Sequence, residues 1–176
     1  MELTKKELTT KYTVFCLLIV LGALLQNVRG LWFQIGEARC FFLVPLTILL
    51  GIDEDERTAA AMGLLAGLLW DTVSAQHMGY NAIFLMIACF VSSAFVTYLL
   101  RGTYWVGVVF SVLFSFLYVL LYWLLFVVTK GGTGAVSSFG WFYIPCFVYT
   151  AVVAFVLNLF LVPLKRKLNK EPKEEK

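Results

Sequence analysis

Asp71, Ser74 and His77 set a carboxylate, a hydroxyl and an imidazole at intervals of three residues, the residue types of a hydrolytic triad. That chemistry needs nucleophile, base and orienting acid to converge beside an oxyanion site, and consecutive turns at a helix end do not supply such convergence. His77 is the only histidine, and the chain holds no HExxH metal helix, no glycine-rich phosphate loop and no paired intramembrane aspartates. No enzyme activity, cofactor or metal is therefore expected. The run DEDER, Asp53 to Arg57, could bind a cation or lipid headgroups, yet it reads more simply as a solvated turn between two helices. Cys16, Cys40, Cys89 and Cys146 have no paired spacing and read as small apolar fillers. Cys40 and Cys146 both fall toward the expected outer side, where an oxidising compartment would let them pair, but spacing gives no support for a bridge.

The elements that would position these residues follow from composition. A chain of 176 residues that is 61% hydrophobic and only 14% charged is too apolar for a wetted domain and reads as an integral membrane protein. Apolar runs predict six spans: Tyr12 to Phe33, Cys40 to Ile52, Thr58 to Ser74, Tyr80 to Leu100, Tyr104 to Val128 and Trp141 to Leu164. The expected organisation is an N-terminal tail over 1–11, an all-α transmembrane bundle over 12–164, and a tail over 165–176 that is first basic and then acidic. The first run is long and no small-residue cleavage site follows it, so it is expected to remain as a helix. The second is short and interrupted by Pro45, and a re-entrant hairpin is its alternative.

Charge bias chooses between those alternatives. With six full spans and a cytoplasmic N-terminus, 11 of the 14 Lys and Arg residues lie inside and only Arg29, Arg39 and Lys130 lie outside. A hairpin would reverse that ratio, against the positive-inside bias, so the second segment is expected to span, with both termini cytoplasmic. Trp32, Phe33, Trp70, Tyr80, Trp123, Trp141 and Tyr143 at the outer ends, and Tyr12, Tyr98, Tyr104 and Trp105 at the inner ends, form aromatic belts in this frame. The basic start of the C-terminal tail suits an anionic inner leaflet.

Ala59, Gly63, Gly67, Asp71 and Ala75 recur every four residues, so the third span carries a stripe of small side chains leading to a carboxylate. Small residues let a neighbouring backbone approach closely in lipid, and an ionised group there must point inward. Two partners for Asp71 are open: free N–H groups at the start of the fourth span, after SAQHMGYNA, or one of Arg29, Arg39 and Lys130. Gly107, Ser111 and Ser115 repeat the spacing on the fifth span, and Thr150, Ala154 and Asn158 on the sixth. Two such faces would close the bundle and a third would remain for another membrane protein. Asn158 is expected to bond across helices.

Pro45, then Gly51 and a short polar turn, then GLLAGLLWD, a polar loop, and Gly79 heading the next helix resemble the rod-shape-determining MreD family. The resemblance covers roughly 40–100. Beyond it lie only six apolar runs, Pro145, Asn158 and Pro163 in the last, and a basic tail. It implies a non-enzymatic component of the bacterial cytoplasmic membrane, in the cell-elongation machinery that builds peptidoglycan. Its implied partners are an MreC-like scaffold, MreB filaments, the RodA glycosyltransferase, a penicillin-binding transpeptidase and membrane lipids, with no nucleic acid. The acidic turn at Asp53 departs from the pattern and argues against docking of that loop on anionic lipid. A second reading is the substrate-binding subunit of an energy-coupling-factor vitamin transporter, whose six-helix fold the MreD family is thought to share. That reading needs an outer pocket lined by Asp71, His77, Asn81 and Trp141. Its weakness is a first span, FCLLIVLGALL, without the small alanine pair such subunits use against their transporter.

Overall fold

The computed structural model describes residues 5–27, 34–35, 38–74, 79–98, 105–129 and 139–169. Six helices account for nearly all of them: α1 (Lys5–Asn27), α2 (Leu43–Gly51), α3 (Glu56–Ser74), α4 (Tyr80–Tyr98), α5 (Val106–Trp123) and α6 (Ile144–Asn169). A π-helical turn, Leu124–Val128, prolongs α5, and a second, Phe139–Tyr143, leads into α6. The wholly helical expectation is modified between α1 and α2. There a minimal antiparallel rung pairs β1 (Gln34–Ile35) with β2 (Ala38–Arg39).

Helix α1 begins well before the apolar run at Tyr12, and the hydroxyls of its polar segment bond back onto the helix. The hydroxyls of Thr9, Thr10 and Thr13 each donate to the carbonyl four residues earlier, at 2.8–2.9 Å. Pro45 does not interrupt α2. It sits in the first turn, where no intrahelical partner awaits its missing N–H, and the helix starts beside it. The consequence is a helix of nine residues, shorter than the expected segment, every one of them buried.

Helix α2 forms the axis of the bundle and touches α1, α3, α4, α5 and α6. Phe15, Ile19, Leu43, Val44, Ile48, Leu50, Leu85 and Val119 make the densest part of the core around it. The outer surface is apolar as well: Leu17 and Leu21 on α1, Ile83 and Ile87 on α4, Val109 and Leu113 on α5, and Leu159 and Phe160 on α6 are all exposed. Surface of this kind is stable against lipid rather than water. Four segments are long and apolar enough to cross a membrane: Lys5–Asn27, Tyr80–Tyr98, Val106–Val128 and Phe139–Asn169. Among the other two helices, α2 is too short, and α3 mixes Glu56, Arg57 and Asp71 with small residues. The architecture is an all-helical bundle with the makeup of a multi-pass membrane protein.

Candidate functional site: a polar anchor at each end of the bundle

The most extensive helix pair is α3 with α4, and glycine explains why. A Cβ built on Gly67 would lie 2.3 Å from the Ala82 Cα, and one on Gly63 would lie 2.3 Å from the Leu85 carbonyl oxygen. Both contacts are with α4 backbone, so the two helices touch main chain to main chain. Ala59, fully buried, continues the stripe but meets α2, where a Cβ on Gly51 would come within 3.1 Å of its own Cβ.

This close approach carries Asp71 to the start of α4. Its Oδ2 accepts the Gly79 N–H at 3.0 Å and the Ala82 N–H at 3.1 Å, while Oδ1 accepts the Asn81 side-chain amide at 2.9 Å. Asn81 in turn accepts the Tyr118 hydroxyl from α5 at 2.8 Å. Asp71, Asn81 and Tyr118 are all buried, and the Tyr118 ring stacks on Trp70 and meets Phe41 edge-on. A carboxylate at free N–H groups and the positive end of a helix dipole is stabilised without a cation. The choice left open in the sequence therefore falls to the α4 N-terminus. Arg29, Lys130, Ala75 and His77 lie outside the described residues, as does the side chain of Arg39.

Gly79 has a different role from its fellow glycines. A Cβ there would meet nothing within 4 Å, so it is no packing position. Its φ of +92° is the reason for glycine, since this backbone turns the Gly79 N–H toward Asp71. On α5, a Cβ on Gly107 would come within 3.0 Å of a Leu49 methyl. Gly107 thus faces α2, and Ser111 and Ser115 on the same stripe are fully buried, their hydroxyls without hydrogen-bond partners among the described residues. On α6, Thr150 and Ala154 are also fully buried. Among the described residues, every position of the three small faces except Asn158 is thus buried inside the bundle. Asn158 departs from its expected role: it is half-buried, with no cross-helix hydrogen bond among the described residues. It falls on the flank of α6, beside the face that Thr150 and Ala154 bury.

The opposite end holds an anchor that local composition concealed. Glu54, expected in a solvated turn, is buried. The Lys11 ammonium sits 2.5 Å from its Oε1, as an ion pair rather than an aligned hydrogen bond, and the Tyr12 hydroxyl donates to Oε2 at 3.3 Å. The Ser93 hydroxyl of α4 donates to the Glu54 carbonyl at 2.5 Å. Lys165 of α6 pairs with Asp53 and donates to the Leu49 carbonyl at 2.7 Å, where a cation complements the C-terminal end of α2. Lys11 and Lys165 are both buried and so are not offered to an anionic leaflet. The signal in the sequence was the assignment of both lysines and of the acidic turn to one side of the membrane.

Of the four residues of the pocket reading, His77 lies outside the described residues. Asp71 and Asn81 are engaged with each other, and Trp141 is 86% exposed. No disulfide joins any of Cys16, Cys40, Cys89 and Cys146.

Fold and site together define a helical membrane bundle whose polar groups fasten its own helices. In comparison with protein-family models, curated proteins and solved structures, nothing matches the chain.

Proposed function

We propose that the chain is a non-enzymatic, MreD-like adaptor of the bacterial cytoplasmic membrane that binds an MreC-like scaffold of the cell-elongation machinery. The observation that carries the reading is the fate of the outer polar groups. Asp71 and Asn81 are consumed in joining α3, α4 and α5, which is what a rigid adaptor needs and what a ligand pocket forgoes. The same reading takes all six helices as crossing the membrane, α2 within the shelter of its neighbours, with both termini cytoplasmic. It is supported by Lys11 near the start of α1 and Lys165 near the end of α6, which meet one turn from the same side.

Two measurements test it. Deleting the gene should widen or round the cells, and the tagged chain should copurify an MreC-like scaffold from native membranes. Normal rod growth after deletion, together with saturable vitamin binding by the purified chain, would transfer the assignment to the transporter subunit. For topology, in a cysteine-free background, a cysteine at Gln76 should react with an impermeant thiol reagent in intact cells. One at Asn169 should not, and its labelling would refute the six-span arrangement.

A further inference from the structure

Two of the cysteines meet at one hydroxyl. Cys40 follows directly on β2, and Cys146 lies in the first turn of α6, one helical turn before Thr150 on the same face. The Thr150 Oγ1 accepts the Phe41 N–H at 3.1 Å and donates to the Cys146 carbonyl at 2.7 Å, so the main chain beside Cys40 and that of Cys146 stand two hydrogen bonds apart. The Cys40 thiol reaches the same hydroxyl and lies close enough to the Cys146 thiol for the two to interact. Cys146 is fully buried and Cys40 is 3% exposed.

The other two thiols are placed elsewhere. Cys89 turns to α3, its sulfur 3.0 Å from the Cβ position of Gly63, and Cys16 is exposed on α1. The pair at Thr150 sits at the Asp71 end of the bundle, since Phe41 packs on Trp70 and Tyr118. That end is the outer one in the topology proposed above. A disulfide asks for Cα atoms about 4–7 Å apart, and two backbones bridged by a single hydroxyl come near that separation.

We propose that Cys40 and Cys146 are the sites of a disulfide, formed in an oxidising outer compartment, that fastens the segment ahead of α2 to α6. The oxidant is a dithiol catalyst in its disulfide form. One cysteine thiolate attacks a catalyst sulfur, which breaks the catalyst's S–S bond and leaves a mixed disulfide. The second thiolate then displaces that sulfur, so the S–S bond of the chain forms, the catalyst takes up two electrons, and the two thiol protons end on its sulfurs. Both cysteines are buried once α6 is seated, so exchange belongs to assembly, and the finished bond is shielded from reductants. The bond encloses most of the chain in one loop and so constrains the unfolded state strongly. The inference rests on the topology and not on the adaptor role.

The test quenches intact cells directly into hot dodecyl sulfate containing N-ethylmaleimide, then recovers the full tagged chain, digests it without reductant and reads the peptides by mass spectrometry. In most molecules the Cys40 and Cys146 peptides should be joined, with Cys16 and Cys89 alkylated. Cys40→Ser should leave Cys146 alkylated, whereas Cys89→Ser should leave the link intact. Reductant should shift the unfolding midpoint of the unaltered chain to less dodecyl sulfate and leave that of Cys40→Ser where it is. Alkylation of both Cys40 and Cys146 in the unaltered chain, or a link from either to Cys16 or Cys89, overturns the proposal without recourse to any variant. If a cysteine at Gln76 labels from outside while Cys40 and Cys146 are found alkylated, the bond fails and the topology stands.

Discussion

Gly67→Ala tests the main structural argument with a single methyl group. The added Cβ would lie 2.3 Å from the Ala82 Cα, 2.5 Å from the Asn81 carbonyl oxygen and 2.6 Å from the Ala82 nitrogen, all main-chain atoms with no rotamer to yield. Ordinary contact begins near 3.4 Å, so 2.3 Å must open by about 1.1 Å. The Ala82 N–H to Asp71 bond, 3.1 Å long, lies at this same contact and would be stretched beyond bonding range by a comparable movement. Overpacking costs about 1–3 kcal/mol and a hydrogen bond to a charged group about 1.5–3 kcal/mol, so a total loss of roughly 3–5 kcal/mol is expected. Leu68→Ala, one position along but 51% exposed toward lipid, serves as the control and should cost well under 1 kcal/mol, as a change at a surface site. The assay is unfolding in mixed micelles of mild detergent and dodecyl sulfate, followed by circular dichroism. If Gly67→Ala falls within about 0.5 kcal/mol of the unaltered chain, the main-chain contact between α3 and α4 is refuted.

Three other perturbations probe the two anchors. Lys11→Met alone should cost about 3–5 kcal/mol by stranding buried Glu54, whereas Lys11→Met with Glu54→Leu should recover much of that loss. Additive single effects in a double-mutant cycle would show that the pair is uncoupled. Asp71→Asn keeps one acceptor oxygen for the α4 N–H groups and should retain more stability and scaffold binding than Asp71→Leu at matched membrane abundance; equal loss would mean that a cation, not the helix N-terminus, satisfies Asp71. Gly79→Asn should be milder than Gly79→Ala, which should cost about 1–2 kcal/mol. The position has room for a side chain but a φ that asparagine tolerates better, and the reverse order in thermal unfolding would contradict this reading.

What the sequence disclosed depended on whether a residue had few alternatives. A carboxylate in an apolar run has almost none, so the inward orientation of Asp71 and the packing stripe beneath it could be read from spacing alone. Its hydrogen-bond partner could not, because a helix N-terminus and a distant arginine leave the same local pattern. Glu54 was misread as solvated because its neighbours are acidic, while its cation lies on another helix, 43 positions earlier in the chain at Lys11. Gly79 shows a further limit: glycine for close packing and glycine for positive φ look alike in a string of letters. Only a backbone angle tells them apart.

The short central helix ties these observations together. Nine residues rise only about 13 Å, so both ends of α2 present main-chain polar groups inside the bundle, where they need partners. Side chains from other helices supply them at both ends. The Gln26 amide oxygen of α1 accepts the Leu43 N–H at 2.8 Å, and the Thr150 hydroxyl of α6 accepts the Phe41 N–H at 3.1 Å. At the far end, Lys165 donates to the Leu49 carbonyl and holds Asp53. Helices α1 and α6 act on α2 through polar groups near its ends, α1 also packing Gly22 against Leu46, whereas α3 and α5 meet its last turn, Ala59 at Gly51 and Gly107 at Leu49. The short helix is stable at the axis because five neighbours cover its sides and two of its open backbone groups, with the Phe41 N–H just before it, find side-chain partners. By this logic, removing Gln26, Thr150 or Lys165 would strip a main-chain group of the side-chain partner it has in the bundle.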